Sequence, residues 1–219
     1  MGRVRLILVI AGAALLASCG RFSFHDEDHA WRRPAEQRCL AQGMVQASAY
    51  VQPVSPINGR GVCGISRPFE VAAFMGGHVQ VEPAATLDCN MTAAFDHWLA
   101  SVVQPAAFAR LGAGVTGLRV LSSYSCRTRN SERGAKMSEH AFGNAIDVAS
   151  FTLADGREVA VEGGWRGGAG EQAFLRDIHS GACDTFYTVL GPDADAQHRD
   201  HLHLDLARHN GRGNSRYCR

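Results

Sequence analysis

Of the seven cysteines in this chain of 219 residues, the six that follow the N-terminal segment constrain the fold more than any other feature. They are Cys39, Cys63, Cys89, Cys126, Cys183 and Cys218, and no two of them form a C-x-x-C pair. Redox motifs and cysteine-ligated zinc are built on such pairs, so the pattern argues against both. An even number in a chain that opens with an export signal points instead to three disulfides, with fifteen connectivities possible in principle. Joining cysteines that are successive in sequence is the default, and it gives Cys39–Cys63, Cys89–Cys126 and Cys183–Cys218.

The export signal is Arg3 and Arg5 followed by an uncharged apolar run from Leu6 to Leu16. That run is too short for a mature membrane span and suits a cleaved leader. It ends in Leu16-Ala17-Ser18-Cys19, a branched residue, two small residues and a cysteine. This is the form of the bacterial lipobox, at which Cys19 is lipidated and becomes the new N-terminus; the plainer alternative is an ordinary leader with a chance cysteine. Several acyl chains hold a protein to a membrane far more firmly than one. Residues 1–18 are thus expected to be a leader and residues 19–35 a lipidated tether. The tether is polar, with Pro34 and the run His25-Asp26-Glu27-Asp28-His29. Residues 36–219 form one domain, large enough for a real core. The expected location is a membrane surface facing the periplasm, and Gly20 after the cysteine leans towards the outer membrane. With 22 basic and 21 acidic residues, the charge balance suggests no nucleic-acid partner. Nothing in the chain identifies a protein partner.

Periodicity predicts an α+β domain, helices packed on one small antiparallel sheet and stapled by disulfides. A short helix is expected over residues 35–49, then a loop marked by Pro53, Pro56, Asn58 and Gly59. Residues 69–74 and 78–81 read as a hairpin around Gly76-Gly77. Thr86 can cap a helix whose face holds Met91, Ala94, Phe95, Trp98, Leu99, Val102 and Val103, and Pro105 should kink or end it. Residues 118–124 and 144–151 read as strands, with an exposed basic loop at 127–137 between them. Asp155-Gly156 signals a two-residue hairpin into 158–161. A glycine-rich loop at 163–170, a helix at 171–178 and strands at 186–190 and 201–206 complete the pattern.

Two segments concentrate chemistry: Ser138-Glu139-His140-Ala141-Phe142-Gly143-Asn144-Ala145-Ile146-Asp147, and His198-Arg199-Asp200-His201-Leu202-His203. His140 and Asp147 are too far apart for one helical turn, so the chain must turn near Gly143 before a strand presents Asp147. His201 and His203 share one face of a strand, since side chains alternate along it. Two histidines and one carboxylate give three protein ligands and leave a fourth position for water, as in catalytic rather than structural zinc sites. A lone H-x-H or H-x6-D arises easily by chance among ten histidines. The complete string S-x-H-x-x-G-x-A-x-D followed by D-H-x-H is far more specific.

These segments resemble those of the LAS metallopeptidases, the group with lysostaphin, the D-Ala-D-Ala metallopeptidases and the sonic hedgehog fold. From about Cys39 to Arg219 the chain more closely resembles the bacterial extensin-like C-terminal family. That likeness is carried by Cys63-Gly64, Pro83-Ala84-Ala85-Thr86-Leu87, Val103-Gln104-Pro105, Ser123-Tyr124-Ser125-Cys126-Arg127, Thr188-Val189-Leu190-Gly191-Pro192 and Tyr217-Cys218-Arg219. The resemblance implies one zinc ion per chain, held by His140, Asp147 and His203, with Ser138 orienting the site by hydrogen bonding. It makes Arg127 the counterpart of an arginine that holds substrate or stabilises an oxyanion. Many relatives carry a glutamate three residues before the last histidine ligand, where this chain has the shorter Asp200. His201 is therefore favoured as general base, with Asp200 as its partner or substitute; Glu139 and His198 lie nearby without an assigned role. The implied activity is hydrolysis of peptidoglycan stem peptides or cross-links. The alternative is a lipoprotein that keeps the fold and the metal and only binds wall or a partner.

Overall fold

A computed structural model describes residues 29–210 and 212–219. The leader and the lipidation site Cys19 lie outside the described residues. Along the chain, α1 (Arg32–Ala41) leads to β1 (Val51–Pro53) and a small hairpin of β2 (Ile57–Asn58) and β3 (Gly64–Ile65). Next come β4 (Phe69–Phe74), β5 (Val79–Leu87), α2 (Cys89–Trp98), α3 (Gln104–Leu111), β6 (Val115–Ser122) and β7 (Ala145–Leu153). The chain continues through β8 (Glu158–Ala160), α4 (Val161–Gly164), α5 (Ala169–Thr185), β9 (Thr188–Leu190), β10 (Leu202–Asp205) and β11 (Tyr217–Cys218). Among the described residues no helix is long and apolar enough to cross a membrane.

The α+β expectation holds. One sheet runs in the order β1-β4-β5-β6-β7-β10-β9-β11, antiparallel except for β5 with β6 and β9 with β11. β7 organises the site end of it. One edge of β7 pairs with β6. The other edge is shared, β10 taking Ala145–Val148 and β8 taking Ser150–Thr152. The hairpin expected at Asp155-Gly156 supplies β8, with Gly156 at φ 85°.

α2, α3 and α5 cover the sheet. Phe95, Trp98, Phe151, Phe174 and Phe186 are fully buried between them, each burial contributing about 1.5–3 kcal/mol. Trp98 stands edge-on to Phe186 at 5.9 Å, and its Nε1 donates to the Ile178 carbonyl in α5. The expected apolar face of α2 is the buried one, with Met91, Phe95, Trp98, Leu99 and Val103 inaccessible to solvent.

Three details differ from expectation. β5 runs on to Leu87, paired with Phe69 of β4, so Thr86 lies in a strand. Asp88 caps α2 instead, accepting from the Met91 amide at 2.7 Å. Of the two outcomes expected at Pro105, an end is not seen: helical backbone runs on from α2 through a wide π turn at Leu99–Val103 into α3, and the π turn re-spaces the backbone bonds just ahead of a residue with no N–H. Part of the expected loop at 163–170 is helical, belonging to α4 and α5.

Three disulfides join the six cysteines, but two pairings depart from sequence order. The bonds are Cys39–Cys89, Cys63–Cys126 and Cys183–Cys218. Cys39 misses Cys63 because α1 packs against α2 and sets Cys39 beside the first residue of that helix. Cys63 then meets Cys126, because the β2–β3 hairpin leans on the segment after β6 with Gly59 against the Tyr124 hydroxyl. The third pair ties α5 to β11 as expected.

Candidate metal centre

His140 sits on a 3-10 turn, Glu139–Phe142, between β6 and β7. Ser138 caps this turn, its hydroxyl accepting from the His140 amide at 3.4 Å. Ser138 therefore orients the backbone that carries the ligand. Gly143 closes the turn in the left-handed region, φ 64°, where a Cβ would strike the Ile65 side chain at 2.2 Å. Glycine is required there on both counts, which is the turn the sequence demanded.

β7 and β10 bring the remaining groups together by register, Asp147 facing His203 directly across the antiparallel pair. Along β10, Leu202 and Leu204 enter the core. His203 and Asp205 occupy the opposite face, with His201 two residues before them on the same side.

The imidazoles are aimed by their outer nitrogens. His140 Nδ1 donates to the Ser123 carbonyl at 2.6 Å, which turns Nε2 towards Asp147 Oδ2 at 3.1 Å. His203 Nε2 bonds Asp205 Oδ2 at 3.0 Å, which leaves Nδ1 facing Asp147 Oδ1 at 2.8 Å and His140 Nε2 at 3.2 Å. Each candidate ligand histidine thus has its tautomer set by an acceptor behind it, a common feature of metal-binding imidazoles. One ligand atom from each of His140, Asp147 and His203 lies within 4.8 Å of the others. A tetrahedral ion with bonds of about 2.0–2.2 Å separates its ligand atoms by roughly 3.3–3.5 Å, so a small expansion of this triad would admit zinc.

The electrostatics point the same way. Burial alone would raise the Asp147 carboxyl, but hydrogen bonds from His140 and His203 hold it well below the usual carboxylate range. At His203 burial favours the neutral ring, yet hydrogen bonds to Asp147 and Asp205 push its pKa up to about 10. Burial would likewise raise Asp205, but the bond from His203 keeps it low. Two buried carboxylates around one imidazole make a centre that attracts positive charge, and a metal cation satisfies that demand as well as protons do.

The centre opens into a cavity of about 310 Å³. His201 lines it, its Nε2 3.6 Å from Asp147 Oδ1 and its Nδ1 held by Asp200 at 2.8 Å. Asp200 itself stands behind His201 with its side chain 55% exposed, so it orients His201 and does not line the cavity. Arg127 reaches in from the rim, Nη2 3.9 Å from Asp147 Oδ2. His140, Asp147, His203, His201, Arg127 and Ser138 therefore converge on one place, and Asp200 joins them through His201.

Two groups, Asp205 and the Ser123 carbonyl, escaped the sequence reading, and two others, His198 and Glu139, stood there without a role. Asp205 could have been found, because it continues the alternation of His201 and His203. The Ser123 carbonyl carries no side-chain signal. His198 packs 5.1 Å from the His201 ring and is fixed by Asp195 at 2.7 Å, with burial lowering its pKa. Glu139 lines the cavity and is bonded to Arg32, a partner 107 residues earlier.

The model of a protein family described as the extensin-like protein C-terminus matches residues 37–219. Neither a curated protein nor a solved structure matches the chain.

Proposed function

Because the chain belongs to the extensin-like protein C-terminus family, we propose that its buried centre makes it a zinc-dependent hydrolase of peptidoglycan stem peptides or their cross-links. The observation that carries this reading is the convergence of His140 Nε2, Asp147 and His203 Nδ1 on the floor of an open cavity, each ring aimed by a second partner. The likeness of the S-x-H-x-x-G-x-A-x-D and D-H-x-H strings to LAS metallopeptidases supports the choice of reaction. Export and anchoring through Cys19, as a lipoprotein facing the periplasm, would set the centre beside peptidoglycan. The outer membrane is favoured by Gly20.

His140, Asp147 and His203 would hold one zinc. When bound, zinc supplies a Lewis acid that polarises a scissile carbonyl and makes water more acidic. The chain provides the rest. With Nδ1 hydrogen-bonded to Asp200, His201 presents Nε2 to the cavity as a proton acceptor. Asp200 holds that tautomer and favours the charged ring that results, which makes the shorter carboxylate sufficient because it need not reach the reacting water. Arg127 brings positive charge to the rim, where a carbonyl oxygen would turn anionic.

The test is incubation of the purified mature chain with muropeptides, with and without a chelator. New fragments that disappear with chelator and return with zinc are expected. A zinc-loaded protein that cleaves no muropeptide would contradict the hydrolase reading and favour a wall-binding role.

A further inference from the structure

We propose that Arg32 is a positioning residue for the metal centre, acting through Glu139 on the turn that presents His140. The inference rests on the zinc reading above and adds a residue that lies ahead of the matched region 37–219. Arg32 grips Glu139 with both arms of its guanidinium, Nη1 to Oε2 at 2.6 Å and Nη2 to Oε1 at 2.7 Å. The pair is withdrawn from solvent, with side chains 16% and 6% exposed. Asn144 Nδ2 donates to the same carboxylate at 2.6 Å, and the Asn144 amide returns to the Glu139 carbonyl. The Arg32 guanidinium also lies 4.0 Å over the ring of Phe142.

Arg32 therefore holds the turn on both sides of His140, at Glu139 before it and Phe142 after it. Its own position is fixed by α1, which the Cys39–Cys89 bond ties to α2. α2 in turn holds the far end of the same turn, since the Asp88 amide donates to the Gly143 carbonyl at 2.8 Å. A buried ion pair adds little net stability over an apolar pair of the same shape, whereas its bidentate geometry fixes direction. The pair is best placed to fix the approach of His140, one residue from Glu139. In this chain the working unit consequently begins at α1, whose first residues, 32–35, fall within the segment expected to tether it to the membrane.

The experiment measures zinc affinity of the metal-free mature chain against a chromogenic chelator, together with its melting temperature. Arg32→Met is expected to weaken zinc binding by about 10–100-fold, the usual effect of removing a group that orients a ligand. Arg32→Lys should recover only part of this, because an ammonium cannot reproduce the planar fork. Glu139→Gln in the Arg32→Met background should add little, because both changes break one contact. Val103→Ala, at the buried last residue of the π turn, serves as a destabilised control that keeps wild-type affinity. Wild-type affinity in Arg32→Met, or an equal loss in the control at matched melting temperature, would overturn the proposal. A wild-type chain that binds no zinc at all would instead overturn the zinc reading on which it rests.

Discussion

The floor and the rim of the cavity are made differently. On the floor His140, Asp147 and His203 are at most 9% exposed, and both rings are fixed by acceptors behind them. On the rim the Arg127 side chain is 30% exposed and that of Asp200 is 55% exposed. The floor is set by strand register and by a glycine turn, so its three groups already face one another and need only a small expansion to admit an ion. The rim is carried by the loop at 127–137 and by the residues before β10, and its side chains are the more exposed ones. On the hydrolase reading proposed above, the floor would choose the ion and the rim the bond to be cut.

The comparison breaks most sharply at Asp147. Asp147→Ala should abolish both zinc retention and muropeptide cleavage, since it removes a ligand and leaves two imidazoles facing an empty place. Metal analysis and a cleavage assay on one preparation check this. Rim substitutions should behave in the opposite way and keep the metal. His201→Ala is expected to lower turnover by about 10²–10⁴, or about 3–5 kcal/mol of barrier, with zinc content unchanged. Asp200→Asn should be milder because it only orients His201, and Arg127→Ala should also depress turnover with zinc retained. Unchanged cleavage in both His201→Ala and Asp200→Asn would refute the assigned base.

Behind the floor stands Asp205, which holds His203 Nε2. Asp205→Asn should weaken zinc affinity by about 10–100-fold without abolishing binding. Competition with a chelator would show it, and an affinity equal to wild type would mean that the ring is aimed by packing alone.

Asp88 sharpens the contrast from outside the cavity. Asp147 is buried with two imidazole partners and lies low, whereas burial pushes Asp88 up to about 7 despite its bond from the Met91 amide. Glu36 adds to the rise, and Arg32 and Asn90 oppose it. The folded chain then holds a proton at Asp88 that the unfolded chain has released between about pH 4 and pH 7. Stability should therefore fall as pH rises through that window, by ~4 kcal/mol at most from this group. Asp88→Asn keeps a capping oxygen and should flatten that part of the curve, which denaturant melts at pH 4.5 and 7.5 would reveal. An unchanged slope would show that Asp88 is not its source.

Much of the floor was legible because its signals are local. The turn at Gly143 and the polar-apolar alternation from His201 onwards need only strand geometry, and that alternation already contained Asp205. The disulfides show where locality fails. Cys39 meets Cys89 because two helices pack, and Cys63 meets Cys126 because a small hairpin folds onto a distant segment; neither event leaves a trace in cysteine spacing. The helix cap illustrates a closer contest. Thr86 and Asp88 are both good capping residues, and the pairing of Leu87 with Phe69 decided for Asp88 by keeping Thr86 in the sheet. Arg32 and Glu139 were invisible as a pair for the same reason as the disulfides, since only the packing of α1 brings them together.

The central claim is that His140, Asp147 and His203 hold one zinc ion, and metal content per chain tests it most directly. The purified mature chain and its His140→Ala/His203→Ala double variant would be loaded with zinc, freed of loose metal and analysed by inductively coupled plasma mass spectrometry. One zinc per wild-type chain and almost none in the double variant is the expected result. Full zinc content in the double variant, or none in the wild type after loading, would contradict it.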